Sequence, residues 1–313
     1  MGDLHRLVLM HGRERARDMV PAQQRRHIDV AAEVLADESQ DIGITYSGFC
    51  LTAFPHKRLS DDAPWEKKGH GVTLLVEPGR LKVGQGPSTL FGVPFGARAR
   101  MVLFYLQTQA VRTQSREVML GRSMRDWMTR MDMPIGGESM RALRDQARRI
   151  SACQIKFFWT SSDQDGYASA DGFERGAIVR SGLFFREHHG EDGAQGSLFE
   201  DKVTLDEAFY AALSEHPVPL LESAIRQLSN QSLALDVYVW LAYRLHALGK
   251  PTPISWTSLH LQFGTCFKLQ RQFRAYFVDA LGAAAAAYPD ARIEVGESGV
   301  TLHPSRPPIA KLA

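Results

Sequence analysis

A run of arginines in the middle of the chain has the spacing of one side of a helix. Arg141, Arg144 and Arg148 recur at intervals of three and four residues, and Arg149 flanks them. The adjoining stripe is apolar and consists of Met140, Leu143, Ala147 and Ile150. This pattern predicts an amphipathic helix over residues 138–151. Guanidinium groups hold phosphate or guanine through paired hydrogen bonds, so we expect the four arginines to contact DNA. The alternative is a merely solvated helix face.

A second helix with similar side chains is predicted near the C-terminus, from about residue 268 to about residue 288. Its inward face would consist of Leu269, Phe273, Phe277, Ala280 and Leu281. Its outward face would carry Lys268, Arg271, Gln272 and Arg274, which we also expect to contact DNA. Glutamine can read adenine through two hydrogen bonds. An ordinary amphipathic helix at the surface is the alternative.

The net charge of +2 hides an uneven distribution along the chain. Residues 95–160 hold 12 Lys and Arg against 5 Asp and Glu, and 11 of the 12 cations are Arg. Residues 161–231 hold 5 cations against 13 acidic residues. A basic block is typical of a nucleic-acid surface, although it could also pair with the acidic block beside it.

Several kinds of enzyme lack their sequence signature here. No GxxxxGK[ST] phosphate loop is present. His188 and His189 are adjacent, so on a strand they would point to opposite faces and could not share a metal. Asp163 and Asp165 fit a polar turn better than a metal pair, and the three cysteines stand far apart. We therefore expect no catalytic residues, no metal and no cofactor.

The elements that must position the two basic helices recur in the same order. The first set is a helix at 97–110, a short strand at 117–120, a helix capped by Ser123, the helix at 138–151, and strands at 154–160 and 176–186. The second set is a helix capped by Ser232, a short helix from Ser255, the helix from 268, and a hairpin over 291–303. Helix, short helix, long helix and hairpin is the order of a winged helix-turn-helix.

The remaining chain completes the predicted architecture. Residues 1–43 are expected to form a loosely packed, flexible helical arm, and residues 44–54 and 72–76 to form strands separated by a polar loop. The predicted fold class is α+β, with tandem winged helix-turn-helix domains, an N-terminal helical arm and a small strand region. The predicted division is 1–43, 44–190 and 191–313. No apolar run approaches the roughly 20 residues of a membrane span, and the scattered thiols fit a cytoplasmic protein.

Several longer segments resemble the plasmid-encoded RepA replication initiators. In order, they are YSGFCLTAFPHKR at 46–58, TLLVEPGR at 73–80, GVPFGARAR at 92–100, LGRSMRDW at 120–127, HPVP at 216–219, LDVYVWLAYRL at 235–245 and PISW at 253–256. The resemblance runs from about Ile44 to about Pro304 and leaves out the first forty residues. It is carried by long segments in a fixed order.

The resemblance implies an initiator that binds repeated sites, called iterons, in double-stranded DNA at a plasmid origin. Such a protein would open the neighbouring AT-rich duplex and recruit the host initiator and the replicative helicase. It would also form homodimers that repress its own promoter. Two winged helices would occupy successive major grooves, roughly one helical turn apart.

Three other functions remain open from the sequence. A winged-helix repressor without initiator activity would use the same basic helices. A primase or nuclease would show metal-dependent activity that is lost on changing Asp163 or His188. A protein-interaction scaffold would pair the basic block with the acidic one and would have no affinity for DNA.

Overall fold

The computed structural model describes residues 2–82, 86–162, 168–182, 201–265 and 267–309. The helices in chain order are α1 (Asp3–Asp18), α2 (Arg25–Ala36), α3 (Ser47–Leu51), α4 (Gly96–Arg112), α5 (Met124–Arg130), α6 (Gly137–Ala152), α7 (Glu207–Glu215), α8 (Glu222–Leu228), α9 (Ser232–Arg244), α10 (Trp256–Phe263) and α11 (Gln270–Ala286). Short 3-10 helices cover Ala22–Gln24 and Leu245–Ala247.

The strands in chain order are β1 (Ile42–Tyr46), β2 (Trp65–Lys68), β3 (Val72–Glu77), β4 (Gly79–Leu81), β5 (Thr89–Phe91), β6 (Glu117–Gly121), β7 (Gln154–Ser162), β8 (Ala168–Ala177), β9 (Val179–Gly182), β10 (Asp201–Leu205), β11 (Pro217–Leu221), β12 (Thr252–Ser255), β13 (Ile293–Val295) and β14 (Gly299–Leu302). The predicted α+β class is confirmed.

The chain forms two compact units, and each is discontinuous in sequence. The terminal unit contains Met1–His56, Lys68–His70 and Pro217–Ala313, and the central unit contains Lys57–Lys67 and Gly71–His216. The sequence placed a boundary at 43/44, whereas β1 pairs along its whole length with β11, from Ile42 opposite Leu221 to Tyr46 opposite Pro217. The predicted boundary at 190/191 lies outside the described residues.

The terminal unit has an aromatic core beneath α11. Phe273 and Phe277 are fully buried, with ring centroids 5.2 Å apart, and Phe263 of α10 lies 5.3 Å from both Phe277 and Trp240. Burying four large rings in one cluster contributes several kcal/mol and fixes α9, α10 and α11 against one another. A three-stranded sheet has the order β12-β14-β13: β12 precedes α10, and the β13–β14 hairpin follows α11 with the predicted turn.

The central unit contains α4, β6, α5 and α6 in the predicted order, followed by the β7–β8 hairpin. Ser123 caps α5 by accepting a hydrogen bond from the backbone N–H of Asp126, as expected. The strand pairing differs from that of the terminal unit. Here β6 pairs with β10 and β10 with β9, whereas β7 pairs with β3 and β8.

Helices α1 and α2 form within residues 3–36 as predicted, and β1 begins at Ile42, but the prediction of loose packing is wrong. Helix α2 packs against α1, α8 and α11. Ile28 and Ala31 are fully buried, and His5 and His27 are also buried. Seven of the twelve residues of α2 are apolar, but the charged Asp29 and Glu33 interrupt them, so the helical spacing looked weak although one face is covered.

Three further predictions about the elements need correction. The strand predicted over 44–54 ends at Tyr46, because its partner β11 begins at Pro217, and α3 follows. A short apolar run fits a buried turn of helix as well as a strand. The strand predicted at 176–186 divides, within the described residues, into the end of β8, which begins at Ala168, and β9. Ser232 does not cap α9 but is its first residue.

Candidate nucleic-acid interface

Helix α6 presents the predicted arginines on one side and buries the other. Leu143, Ala147 and Ile150 are buried, and Met140 is half-buried. Arg141 is exposed, whereas Arg144 and Arg148 are half-buried. The buried stripe therefore holds the helix so that three guanidinium groups lie at or near the surface of the central unit.

Arg149 differs from these three arginines because its side chain is buried. Its predicted contact with DNA is therefore wrong. Its side chain is 3% exposed, with Nη1 2.9 Å from Oδ1 of Asp61 and Nε donating to Oδ2 of Asp145 at 2.8 Å. The guanidinium also lies over the ring of Phe95, 5.2 Å from its centroid. Nη1 also donates to the carbonyl oxygen of Val93 at 3.5 Å, so the group ties α6 to neighbouring segments of the central unit.

The segment at 92–96 packs closely against Arg149 and the residues around it, and this packing explains the glycine at position 92. The backbone N–H of Phe95 donates to Oε1 of the buried Gln146 at 2.9 Å. A Cβ at Gly92 would lie 2.7 Å from Oδ1 of Asp61 and 2.8 Å from Nη1 of Arg149, so this position requires glycine. Burial acts to raise the pKa of Asp61, but the guanidinium groups of Arg149 and Arg58 outweigh it and lower the pKa.

Helix α11 presents a more open polar face than α6. Lys268, Arg271, Gln272 and Arg274 are all exposed, as predicted, with Lys268 just before the first turn. The fully buried Phe273 and Phe277 fix which side faces outward. Leu269, predicted to face inward, is 47% exposed, because it lies at the helix cap, outside the stripe that the two phenylalanines define.

Arg274 connects this face to the β13–β14 turn. Its guanidinium lies 4.8 Å from the centroid of the Trp256 ring and donates to the carbonyl oxygens of Gly296 at 3.3 Å and Glu297 at 3.5 Å. The indole N–H of Trp256 lies 3.0 Å from the same Glu297 oxygen. Arg274 therefore fixes the hairpin turn beside α11 while remaining exposed.

Tyr276 is a surface residue that the sequence reasoning passed over. Its side chain is 65% exposed on α11, and its ring centroid lies 5.2 Å from that of Phe267. The signal was available, because position 276 falls outside the inward set 273, 277, 280 and 281. An exposed aromatic ring one helical turn beyond Gln272 adds an apolar, stacking surface to the polar face of this helix.

One Ser, His and Asp grouping comes together in the terminal unit, although sequence spacing did not show it. Nδ1 of His56 lies 2.9 Å from Oγ of Ser232, and its Nε2 lies 3.7 Å from Oδ2 of Asp236. The longer distance exceeds that of a hydrogen bond, so this carboxylate does not orient the ring as a catalytic triad requires. The grouping anchors the end of the segment 52–56 to the first turn of α9.

The described residues contain no group of three or more His, Cys, Asp or Glu side chains that could hold a metal. Asp163, Asp165, His188 and His189 lie outside the described residues. Burial raises the pKa of the thiols of Cys50 and Cys153, to about 12 for Cys153, so neither is an activated nucleophile. None of the helices in the described ranges is long and apolar enough to cross a membrane.

Comparison with known proteins identifies the family. The family model for plasmid-encoded RepA protein matches residues 93–257, more than half of the chain. A crystal structure of domains 2 and 3 of RctB superposes with a TM-score of 0.51 at 11% identity, over 84% of this chain and 99% of that one. A second RctB structure of the same domains gives 0.48 at 12% identity, over 81% and 93%. No curated protein gave a match.

At 11% identity, the RctB likeness supports the fold alone. The family match, in contrast, covers α4 to α9 and the RepA-like segments from about residue 93 onward, whereas the segments at 46–58 and 73–80 lie outside it. The chain belongs to the plasmid-encoded RepA family of replication initiators.

Proposed function

We propose that this protein starts plasmid replication by binding repeated sites in double-stranded DNA at the origin. The observation that supports the proposal is the pair of basic helices, α6 and α11. Each is held by a buried apolar face, and each presents exposed or half-buried cations on its other side. Each follows a helix and a turn and precedes a hairpin, which is the order of a winged helix-turn-helix.

Arg141, Arg144 and Arg148 contact DNA from the central unit, and Lys268, Arg271 and Gln272 contact it from the terminal unit. Phosphate contacts supply most of the affinity, and contacts to base edges set the register. Arg271 and Gln272 are exposed and do not pack into the core, so their side chains are available to contact base edges. Arg274 acts by holding the hairpin turn at the edge of the same surface.

The further steps of initiation in this proposal are supported by the likeness to the family and not by a site in the described residues. Bound at repeated sites, the protein opens the adjacent AT-rich duplex and recruits the host initiator and the replicative helicase. As a dimer it binds its own promoter and represses it. We expect no nicking activity, and no ATPase activity either, since the phosphate loop of an ATPase is missing from the sequence.

Footprinting on plasmid DNA that flanks the gene tests the proposal. We expect tandem protected repeats on one side, whose protection weakens steeply as salt rises. A single protected inverted repeat, with no tandem repeats, would favour the repressor. Absence of protection even at low salt would contradict DNA binding and would favour the alternative of a protein-interaction scaffold.

A genetic experiment separates the initiator from the repressor. A plasmid that carries only the protected repeats and the adjoining AT-rich DNA should replicate when the gene is supplied in trans. Loss of that plasmid in the presence of normal repeat binding would contradict the initiator role. A nick specific to the origin, made by the purified protein, would instead support an enzyme.

A further inference from the structure

A groove of about 850 Å³ lies beside the exposed face of α11 in the terminal unit. One wall is formed by the first two helices and the turn between them, including Gln23 and Gln24. The other wall is formed by Ala275 and Tyr276 of α11 and by Val295 of β13. The N-terminal helices thus border the helix to which the proposed function assigns DNA binding.

The position of these helices against α11 is fixed by close contacts. Nε2 of His27 lies 3.4 Å from Oδ1 of Asp279, and a Cβ at Gly282 would lie 2.7 Å from the His27 ring. Nε2 of the buried His5 lies 2.8 Å from the carbonyl oxygen of Ala286. The second half of α11 is therefore covered, and the open part of its outer face is the part before Asp279.

The end of the turn between α1 and α2 and the first two residues of α2 carry four polar side chains in a row. Gln23, Gln24, Arg25 and Arg26 are all exposed, and the first two line the groove. Across the groove, Ala275 lies one helical turn beyond Arg271, so both belong to the same face of α11. Two acidic side chains line this groove: Asp3 lies 3.9 Å from Nη1 of Arg6, and Asp279 lies 3.4 Å from Nε2 of His27.

We propose that Gln23, Gln24, Arg25 and Arg26 form a second DNA contact that holds the sugar–phosphate backbone next to the major groove entered by α11. This inference rests on the proposed function. When Arg271 and Gln272 face the bases in the DNA major groove, the sugar–phosphate backbone at the edge of that major groove has to pass the rest of the same face of α11. A strip of two arginines and two glutamines matches the charge and hydrogen-bonding capacity of phosphates. A hydrophobic partner would leave both guanidinium groups without a counter-charge.

The test compares two pairs of charge deletions. The variant Arg25→Ala/Arg26→Ala removes two cations from the strip. The matched control Arg15→Ala/Lys250→Ala removes two exposed cations outside the strip: Arg15 lies on α1, and Lys250 precedes the end of β12 that is remote from the hairpin turn. Binding is measured across a range of salt with a duplex from the footprinted region and with a scrambled duplex of equal length.

We expect the strip variant to bind both duplexes several-fold more weakly. The slope of log K against log[salt] should become shallower by about 1.8, since each lost phosphate contact accounts for about 0.9. The control should keep the wild-type slope. Ethylation interference should show lost phosphate contacts on one side of each repeat for the strip variant alone.

The result that overturns the inference is a wild-type salt slope in the strip variant, with an unchanged melting temperature. Normal DNA binding combined with lost self-association would also overturn it, because the strip would then contact a second copy of the chain. Failure of the proposed function looks different. In that case the wild-type protein and Arg271→Ala would both bind the two duplexes equally weakly.

Discussion

The guanidinium of Arg274 lies over the indole ring of Trp256, with Cζ 4.8 Å from the ring centroid. Both side chains donate to the backbone of the β13–β14 turn, at Gly296 and Glu297. The backbone N–H of Trp256 donates to the carbonyl oxygen of Ser298 at 3.0 Å. An exposed arginine, the first residue of α10 and the hairpin turn therefore form one hydrogen-bonded cluster next to the proposed DNA surface.

This cluster predicts that Arg274→Lys lowers DNA affinity although the charge is kept. An ammonium group cannot lie flat on the indole and reach two carbonyl oxygens at once. The lost cation–π contact is expected to cost about 0.5–1 kcal/mol at this exposed site. Hydrogen exchange at the Gly296 and Trp256 amides should speed up by the corresponding few-fold. Unchanged exchange alongside weaker DNA binding would mean that Arg274 acts only by direct contact with DNA.

Neighbouring arginines on α6 are predicted to have separate roles. Arg149→Met should destabilise the protein by about 2–3 kcal/mol, because it leaves Asp61 and Asp145 without their shared cation. This is less than for a fully buried pair, since both carboxylates are partly exposed, at 36% and 37% of their side-chain surface. Urea unfolding at neutral pH measures the loss.

The control for this prediction is the adjacent Arg148→Met. It should change stability by less than about 1 kcal/mol and weaken DNA binding instead. Arg149→Met, assayed at a temperature where it is folded, should keep the wild-type salt slope. A reversed pattern, with Arg148 needed for stability and Arg149 for DNA binding, would contradict the assignment.

The sequence predicted the amphipathic helices well because their signal is local. Within the sixteen residues of α6, apolar positions alternate with arginines at helical spacing. This pattern predicts both the helix and the side of it that is buried, which carries Leu143, Ala147 and Ile150. The role of Arg149 could not be predicted in this way. Its partner Asp61 lies 88 positions earlier in the chain. Helical spacing places Arg149 at the edge of the basic stripe, and at such a position the spacing does not show whether a side chain is buried or exposed.

Pairing between distant segments was also beyond the sequence. Strand β1 ends at Tyr46 because the strand opposite it begins at Pro217. The apolar residues continue to Phe54, so the local sequence does not show where the strand ends. The covering of α11 by His5 and His27 depends on contacts across more than 250 positions. The strip at 23–26 looked like part of a loose arm for the same reason.

Base reading by the two basic helices predicts a cost for single alanine variants. Arg144→Ala and Arg271→Ala should each weaken binding to the protected repeats by about 1–3 kcal/mol. The exposed Arg180 on β9 lies outside both helices, and Arg180→Ala should have little effect. Gel shifts at constant salt give the affinities. Equal losses for Arg144→Ala and Arg180→Ala would show a nonspecific charge effect and would contradict the α6 assignment.

The two buried histidines of the N-terminal helices predict that acid destabilises the terminal unit. Burial lowers the pKa of His5 and His27 below the ordinary 6.5, and for His27 it outweighs the opposing influence of Asp279. The unfolded chain therefore takes up protons first as the pH falls. Their contribution to stability is complete above about pH 6.5 and is lost progressively as the pH falls from there through the lowered pKa values.

Thermal unfolding between about pH 8 and about pH 5 measures this dependence. His5→Gln/His27→Gln should flatten the decline below about pH 6.5, because an amide can form hydrogen bonds but does not titrate in this range. His11 is exposed on the same helix as His5, and His11→Gln is the matched control that should keep the wild-type decline. If the double variant declined as steeply as the control, the acid sensitivity would have to come from groups outside the contact between the N-terminal helices and α11.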